Sequence, residues 1–116
     1  MAEFIVVHED VIENRALALY YEVVDEDDVA YPVDAIDLEM QAIDNTGAVV
    51  KTWASTGASP ALTVPYVETN IVLLTDATGF IKWGYYKAEL VDATNNITLG
   101  MVDFNVDKDI TIITAP

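Results

Sequence analysis

One stretch decides the fold of this chain: Gly84-Tyr85-Tyr86-Lys87-Ala88-Glu89-Leu90-Val91, then Asp92 to Asn96, then Ile97-Thr98-Leu99-Gly100-Met101-Val102-Asp103-Phe104-Asn105-Val106. Much of each arm alternates apolar and polar side chains, which is the two-residue period of a β-strand. The residues between the arms are Asp, Ala, Thr and Asn, a composition that favours turns. The stretch therefore predicts a β-hairpin.

The same period recurs upstream. Leu17 to Val23 and Ile36 to Ala42 each place apolar residues at alternate positions, and in the second run the residues between them, Asp37, Glu39 and Gln41, are all polar. A strand with one buried face has this pattern. Asp44-Asn45-Thr46-Gly47 has strong turn chemistry, and Ala48 to Trp53 then predicts a returning strand. These segments predict a second hairpin.

The remaining strands are shorter or less regular. They are predicted at Phe4 to Val7, Ala61 to Tyr66, Ile71 to Leu74 and Ile110 to Thr114. Pro65 has no amide proton for a ladder, so its segment lies at an edge or ends there. Turns about every ten residues and the lack of a convincing helical period are typical of a sandwich. We expect residues 1–116 to form a single all-β domain, an antiparallel immunoglobulin-like β-sandwich of seven or eight short strands.

Charge limits the partners of the chain. Twenty acidic residues stand against five Lys and Arg, a formal net charge of −15. Such a surface repels nucleic-acid phosphates and anionic lipids, so no nucleic-acid or membrane partner is expected. No apolar run is longer than six residues, far below a bilayer span, and Met1 to Phe4 lacks the basic start of a signal peptide. The absence of cysteine excludes disulfides, thiolate nucleophiles and zinc-thiolate sites.

Few residues are candidates for catalysis, metal binding or ligand binding. His8 lies beside Glu9 and Asp10, but no Ser-His-Asp spacing supports a reaction centre, and a solvated histidine is the simpler interpretation. The run Asp25 to Asp28 could bind Ca²⁺, although it lacks the glycine and distal glutamate of an EF-hand loop, and a solvated acidic loop is favoured. Aromatic residues could stack on sugars, but a core or an interface is favoured for them. We expect no catalytic residue, no cofactor and no metal site, and therefore no enzyme.

The closing hairpin also supports a family resemblance. Its arms read Gly-x-Tyr-x-x-Glu-Leu from Gly84 to Leu90 and Gly-x-x-x-Phe-x-Val from Gly100 to Val106, and Tyr31-Pro32-Val33-Asp34 precedes an alternating strand. From about residue 15 to 110 the chain resembles the small immunoglobulin-like β-sandwich modules of tailed-bacteriophage virion proteins, similar to the N-terminal module of phage upper baseplate proteins.

That resemblance implies a non-enzymatic structural protein of a bacteriophage virion, an accessory component of the tail or baseplate. It implies other virion structural proteins as partners, in a multi-copy assembly made in the host cytoplasm. A capsid decoration or cement protein is the alternative within this class. A carbohydrate-binding or Ca²⁺-dependent adhesion module is the alternative from another class.

Candidate contact residues lie in two loops and the tail. We expect contacts at Asp27 in the acidic loop, and at Thr56, Gly57 and Ser59 in the small polar loop from Ala54 to Pro60. The tail contributes Ile110, Ile112 and Ile113. A β-rich apolar tail on a lone monomer would be an exposed edge, so it pairs within its own sheet or with a neighbouring subunit.

Overall fold

The computed structural model of the protein describes residues 6–25 and 27–109. This part of the chain contains eight β-strands and no helix. In chain order they are β1 (Val6–Ile12), β2 (Leu17–Glu22), β3 (Leu38–Ile43), β4 (Val49–Ala54), β5 (Leu62–Thr63), β6 (Ile71–Asp76), β7 (Gly84–Asp92) and β8 (Ile97–Asp107).

The strands form two sheets. The larger has the order β1-β8-β7-β3-β4, and the smaller has the order β2-β6-β5. The pairs are antiparallel except β1 with β8, which run parallel with Val6 opposite Met101 and Ile12 opposite Asp107. In immunoglobulin terms, β8-β7-β3-β4 corresponds to strands G-F-C-C′ and β2-β6-β5 to strands B-E-D.

The inward faces of both sheets share one apolar core. Aromatic rings fill its end near the start of β7. The Phe80 ring centroid lies 4.6 Å from that of Tyr86 and 4.9 Å from that of Phe104, and the Trp53 ring meets Phe80 edge-on at 6.1 Å. Such offset and edge-on pairs add stability beyond their buried area. The smaller aliphatic side chains of Val72, Leu74, Ala88 and Val102 fill other parts of the core.

Tyr86 forms a tyrosine corner, a hallmark of immunoglobulin-like sandwiches. Near the start of β7, its hydroxyl donates a hydrogen bond of 2.6 Å to the carbonyl oxygen of Lys82. Burial raises the pKa of the Tyr86 hydroxyl, and the carboxylates of Asp44 and Glu13 raise it further, so the phenol remains a donor. The strand order and this corner confirm the predicted fold class.

The carboxylates of two aspartates at strand ends stabilise the adjacent turns through hydrogen bonds. The fully buried carboxylate of Asp92 accepts hydrogen bonds from the Tyr31 hydroxyl at 2.9 Å and from the Asn95 side-chain amide at 2.8 Å. The carboxylate of Asp76 accepts from Trp53 Nε1 at 2.8 Å and pairs with Lys51 Nζ at 2.9 Å. Each buried acceptor therefore has its donors, as a stable core requires.

The predicted closing hairpin is confirmed, with a register shift at Leu90 and Val91. One strand departs from the antiparallel pattern: β1 pairs with β8 in parallel, and it extends beyond the predicted end at Val7 through His8, Glu9 and Asp10 to Ile12. Charged residues are tolerated there because β1 is an edge strand, with His8 and Asp10 facing outward.

The other predicted strands need smaller corrections. The strand predicted over Ala61 to Tyr66 is confined to Leu62–Thr63, because Pro65 cannot continue the ladder. The strand predicted from Ile36 begins at Leu38. The tail from Ile110 to Thr114 and the first residues of the predicted strand at Phe4 lie outside the described residues.

Candidate interaction surface

Three large apolar side chains stand exposed in the connection from β6 to β7 and at the start of β7. Ile81 is 77% exposed, Trp83 54% and Tyr85 76%. We call these three residues, one isoleucine and two aromatic residues, the aromatic ridge. Large apolar side chains grouped at a surface mark interaction sites in soluble proteins.

The backbone beneath the ridge is held at several points. The Trp83 amide donates to Glu13 Oε2 at 3.1 Å, and the Lys82 carbonyl accepts the tyrosine-corner bond from Tyr86. At Gly79, φ is +64°, and an added Cβ would lie 1.9 Å from the carbonyl oxygen of Arg15, so only glycine fits. The ridge is thus displayed on a fixed support, and its backbone loses little freedom when a partner binds.

A groove of about 580 Å³ runs beside the ridge. Its lining includes Trp83 and Tyr85 together with the polar side chains of Asn45, Asn105 and Lys108. The groove combines aromatic faces with hydrogen-bonding groups, which suits a protein side chain or a sugar ring.

The ridge continues into the outer face of the larger sheet. Tyr85 lies opposite Asn105 on β8, which in turn lies opposite Asp10 on β1, and the Asn105 amide donates to Asp10 Oδ1 at 3.2 Å. Cross-strand partners point to the same side of a sheet, so these side chains form one row. The next row crosses His8, Asp103, Lys87 and Ile43.

A shallow cavity of about 340 Å³ lies further along this face. Half-buried Ile43, Val91 and Met101 form its apolar part, and exposed Glu39 and Glu89 flank it. The Thr98 hydroxyl donates to Glu89, which orients that carboxylate. This face therefore carries apolar side chains and acidic side chains next to each other.

Among the described residues, His8 lies at the surface beside one carboxylate. His8 Nδ1 lies 3.5 Å from Asp103 Oδ2, and the His8 side chain is 79% exposed. Among residues 6–25 and 27–109, no three His, Cys, Asp or Glu side chains are grouped so that they could hold a metal ion. In the same part of the chain, no helix is long and apolar enough to cross a membrane.

The acidic loop forms the tip of a small hairpin closed by a bridge between Val24 and Ala30. Asp25 Oδ1 accepts hydrogen bonds from the amides of Asp27 at 2.9 Å and Val29 at 3.0 Å. That carboxylate therefore caps its own loop, and the described acids there do not converge on a cation.

The predicted contact residues that the structure describes are exposed but dispersed. Asp27 lies at the hairpin tip between β2 and β3, whereas Thr56, Gly57 and Ser59 lie in the connection from β4 to β5. No described hydrogen bond joins these two segments, and their role in contacts stays a prediction. Ile110, Ile112 and Ile113 lie outside the described residues.

The sequence-based interpretation treated the aromatic residues as one group, assigned to a core or an interface, and did not single out Trp83 and Tyr85. Strand alternation at Tyr85 and Tyr86 contained the missing signal, because two adjacent aromatic residues in a strand must point to opposite faces. Tyr86 enters the core and Tyr85 faces solvent.

Comparisons with known proteins give structural likeness only. No family model matches the chain, and no curated protein matches it. Among solved structures, CopC from Methylosinus trichosporium OB3b has a TM-score of 0.49 at 14% identity, covering 92% of this chain and 90% of CopC. The ZIG-8–RIG-5 IG1–IG1 heterodimer gives a TM-score of 0.45 at 19% identity, covering 90% of this chain and 83% of the matched chain.

A third structure contains the extracellular domain of the voltage-gated sodium channel β4 subunit as a parallel homodimer. Its TM-score is 0.41 at 11% identity, and it covers 90% of this chain and 93% of that one. Because these likenesses are low, the immunoglobulin-like assignment rests on the strand order and the Tyr86 corner. The class defined is an immunoglobulin-like β-sandwich.

Proposed function

We propose that this protein is a non-enzymatic structural component of a bacteriophage virion, in the tail or baseplate, that assembles by binding other virion proteins. The observation that carries the binding role is the aromatic ridge on its fixed backbone. Trp83 and Tyr85 expose large apolar area together with polar tips, a combination enriched at protein interfaces. The virion setting is supported by the sequence resemblance of the hairpin from Gly84 to Val106.

The ridge has the residue types and the setting of a binding hot spot. A few Trp, Tyr and Arg residues usually supply most of the binding free energy of an interface, provided that they are shielded from water by surrounding groups. The groove lined by Asn45, Asn105 and Lys108 offers such surroundings. Truncating Trp83 should therefore weaken association by about 2 kcal/mol, or roughly thirtyfold.

The test is incorporation into phage particles. Mass spectrometry of purified virions should detect the wild-type protein, and Trp83→Ser together with Tyr85→Ser should reduce its copy number strongly. Tyr20→Ser and Tyr66→Ser provide the matched control, because these rings are also exposed but stack on each other at 5.7 Å, with Tyr20 on the smaller sheet. Complete absence of the wild-type protein from virions would refute the proposal.

A carbohydrate-binding module is a second candidate, favoured by the same groove. Trp83 and Tyr85 could stack on a sugar ring while Asn45 and Asn105 bind its hydroxyl groups. Glycan-array binding that is lost in Trp83→Ser, combined with absence from virions, would support this alternative over assembly.

A further inference from the structure

The outer face of the larger sheet carries acidic groups that the fold leaves without a counter-charge. In the part of the chain that the structure describes, ion pairs join Arg15 to Asp109 and Lys51 to Asp76, and the His8 imidazole lies 3.5 Å from the Asp103 carboxylate. None of them involves Glu39 or Glu89. Both glutamates are exposed on this face.

The two glutamates flank an apolar floor. Glu39 lies opposite Val91, and Glu89 lies opposite Gln41 on one side and Met101 on the other, so the glutamates are diagonal neighbours. Between them is the cavity of about 340 Å³ with Ile43, Val91 and Met101 in its lining. A lysine or arginine side chain has the matching shape, with an aliphatic stem for the floor and a cationic head for the carboxylates.

We propose that this face and the aromatic ridge together dock a basic surface of a different protein. This inference rests on the assembly role proposed above and names its partner class. The ridge supplies the apolar anchor. Glu39 and Glu89 receive basic side chains in the cavity further along the same face, and the row through Lys87 and Ile43 lies between the two regions.

Charge also argues against a second copy as the occupant. A symmetric dimer through this face would bring Glu39 and Glu89 of each copy toward the same acidic face of the other, where Lys87 is the cation near the cavity. Each molecule carries a formal charge of −15, so repulsion acts over the whole approach. A basic partner turns the same charges into attraction and speeds association.

Binding of defined peptides tests the inference. Two synthetic peptides of equal length, one alternating arginine and leucine and one alternating glutamate and leucine, are titrated into isotope-labelled protein and followed by NMR. The arginine peptide should shift the amides of Lys87, Glu89 and Met101, and the glutamate peptide should not. Shifts confined to the smaller sheet, or equal effects of both peptides, would overturn the inference.

Charge variants make the test specific. The Glu39→Gln/Glu89→Gln variant should weaken binding of the arginine peptide about three- to tenfold, as expected for two partly desolvated charge contacts. Glu22→Gln/Glu68→Gln removes the same charge from exposed positions elsewhere, with Glu22 on the smaller sheet, and should change affinity less than about twofold. Equal losses of peptide affinity in the two variants would show that net charge alone causes the effect, and would overturn the proposed site.

The two proposals fail separately. If virions contain the protein but the Glu39→Gln/Glu89→Gln variant is incorporated normally and the arginine peptide does not bind, the partner class is wrong and the assembly role stands. If the peptide binds as expected but virions lack the protein, the virion role is wrong and the preference for a basic surface stands. Concentration-dependent dimerisation of the chain alone through Lys87 and Met101 would also overturn the inference.

Discussion

The two ends of the sandwich use hydrogen bonds for different purposes. At the end where β7 finishes, the carboxylate of Asp92 accepts hydrogen bonds from Tyr31 and Asn95. At the opposite end, where β7 begins, Tyr86 and Glu13 hold the backbone beneath Ile81, Trp83 and Tyr85. The first end uses its internal bonds to close loops. The second uses them to present apolar side chains to solvent.

The contrast separates groups that stabilise the fold from groups that are free to bind. Asp92 is fully buried, so changes to it act on folding. Trp83 is 54% exposed, so changes to it act on association. The predictions below test this separation.

Replacing Asp92 should cause the largest loss of stability. Asp92→Ala leaves the Tyr31 hydroxyl and the Asn95 amide without their acceptor in a buried setting, which should lower the free energy of unfolding by about 3 kcal/mol. Chemical denaturation measures this loss. Asp44→Ala is the control, because Asp44 accepts similar turn bonds from Thr46 and Ala48 but in a less buried position. Equal losses of unfolding free energy in the two variants would show that burial of Asp92 does not set its contribution.

Acid should remove the next largest share of stability. Burial raises the pKa of Asp76 and of Asp92, but hydrogen bonds from Trp53 and Lys51 to Asp76, and from Asn95 and Tyr31 to Asp92, outweigh it, so both pKa values lie below the ordinary 3.8.

A carboxyl group whose pKa is lowered by folding stabilises the protein above its unfolded pKa, and that stability is lost as the pH falls. Unfolding free energy measured by denaturation should therefore decline from about pH 4 downward. The Asp76→Asn variant should show a shallower decline over this range. An unchanged pH dependence in that variant would remove Asp76 from the explanation.

Two buried tyrosines should respond in opposite ways to loss of the hydroxyl. Tyr86→Phe leaves the Lys82 carbonyl without its donor and should lower the free energy of unfolding by about 1.5 kcal/mol. The buried Tyr21 hydroxyl has no hydrogen-bond partner among the described residues, so Tyr21→Phe should leave stability unchanged or raise it. Parallel thermal melts would show a clear fall in Tm for Tyr86→Phe alone.

The smallest effect on stability is expected at the ridge itself. Trp83→Ser should change the free energy of unfolding by less than about 0.5 kcal/mol, because the side chain is exposed and the backbone bond from its amide to Glu13 remains. The same variant should lose association, as proposed above. A large loss of stability in denaturation experiments would make the ridge a structural element instead.

Local sequence chemistry was sufficient for most of the fold. Alternation from Gly84 to Val106 and from Leu38 to Ile43, with aspartate-rich turns between strands, determined the hairpins and the fold class. The parallel pairing of β1 with β8 was not predictable in this way, because it joins residues almost a whole chain length apart. The polar residues from His8 to Asp10 also lack the apolar alternation of a strand, so the predicted strand ended at Val7.

The candidate surface was less predictable than the fold. Turn chemistry directed attention to Asp27 and to the loop from Thr56 to Ser59, since mobile polar segments commonly carry contacts. Trp83 and Tyr85 lie outside such loops, and the adjacent pair Tyr85-Tyr86 indicates that one ring is exposed without indicating which of the two enters the core beside Phe80. Exposure of an aromatic residue is a property of three-dimensional packing, which the local pattern records only in part.

The parallel register of β1 and β8 determines how the molecule resists mechanical load. The chain enters this pair at Val6, opposite Met101, and leaves it at Asp107, opposite Ile12. Tension that pulls the two flanking ends apart is directed along the strands, so all the rungs between β1 and β8 are sheared at once and none can open before the others.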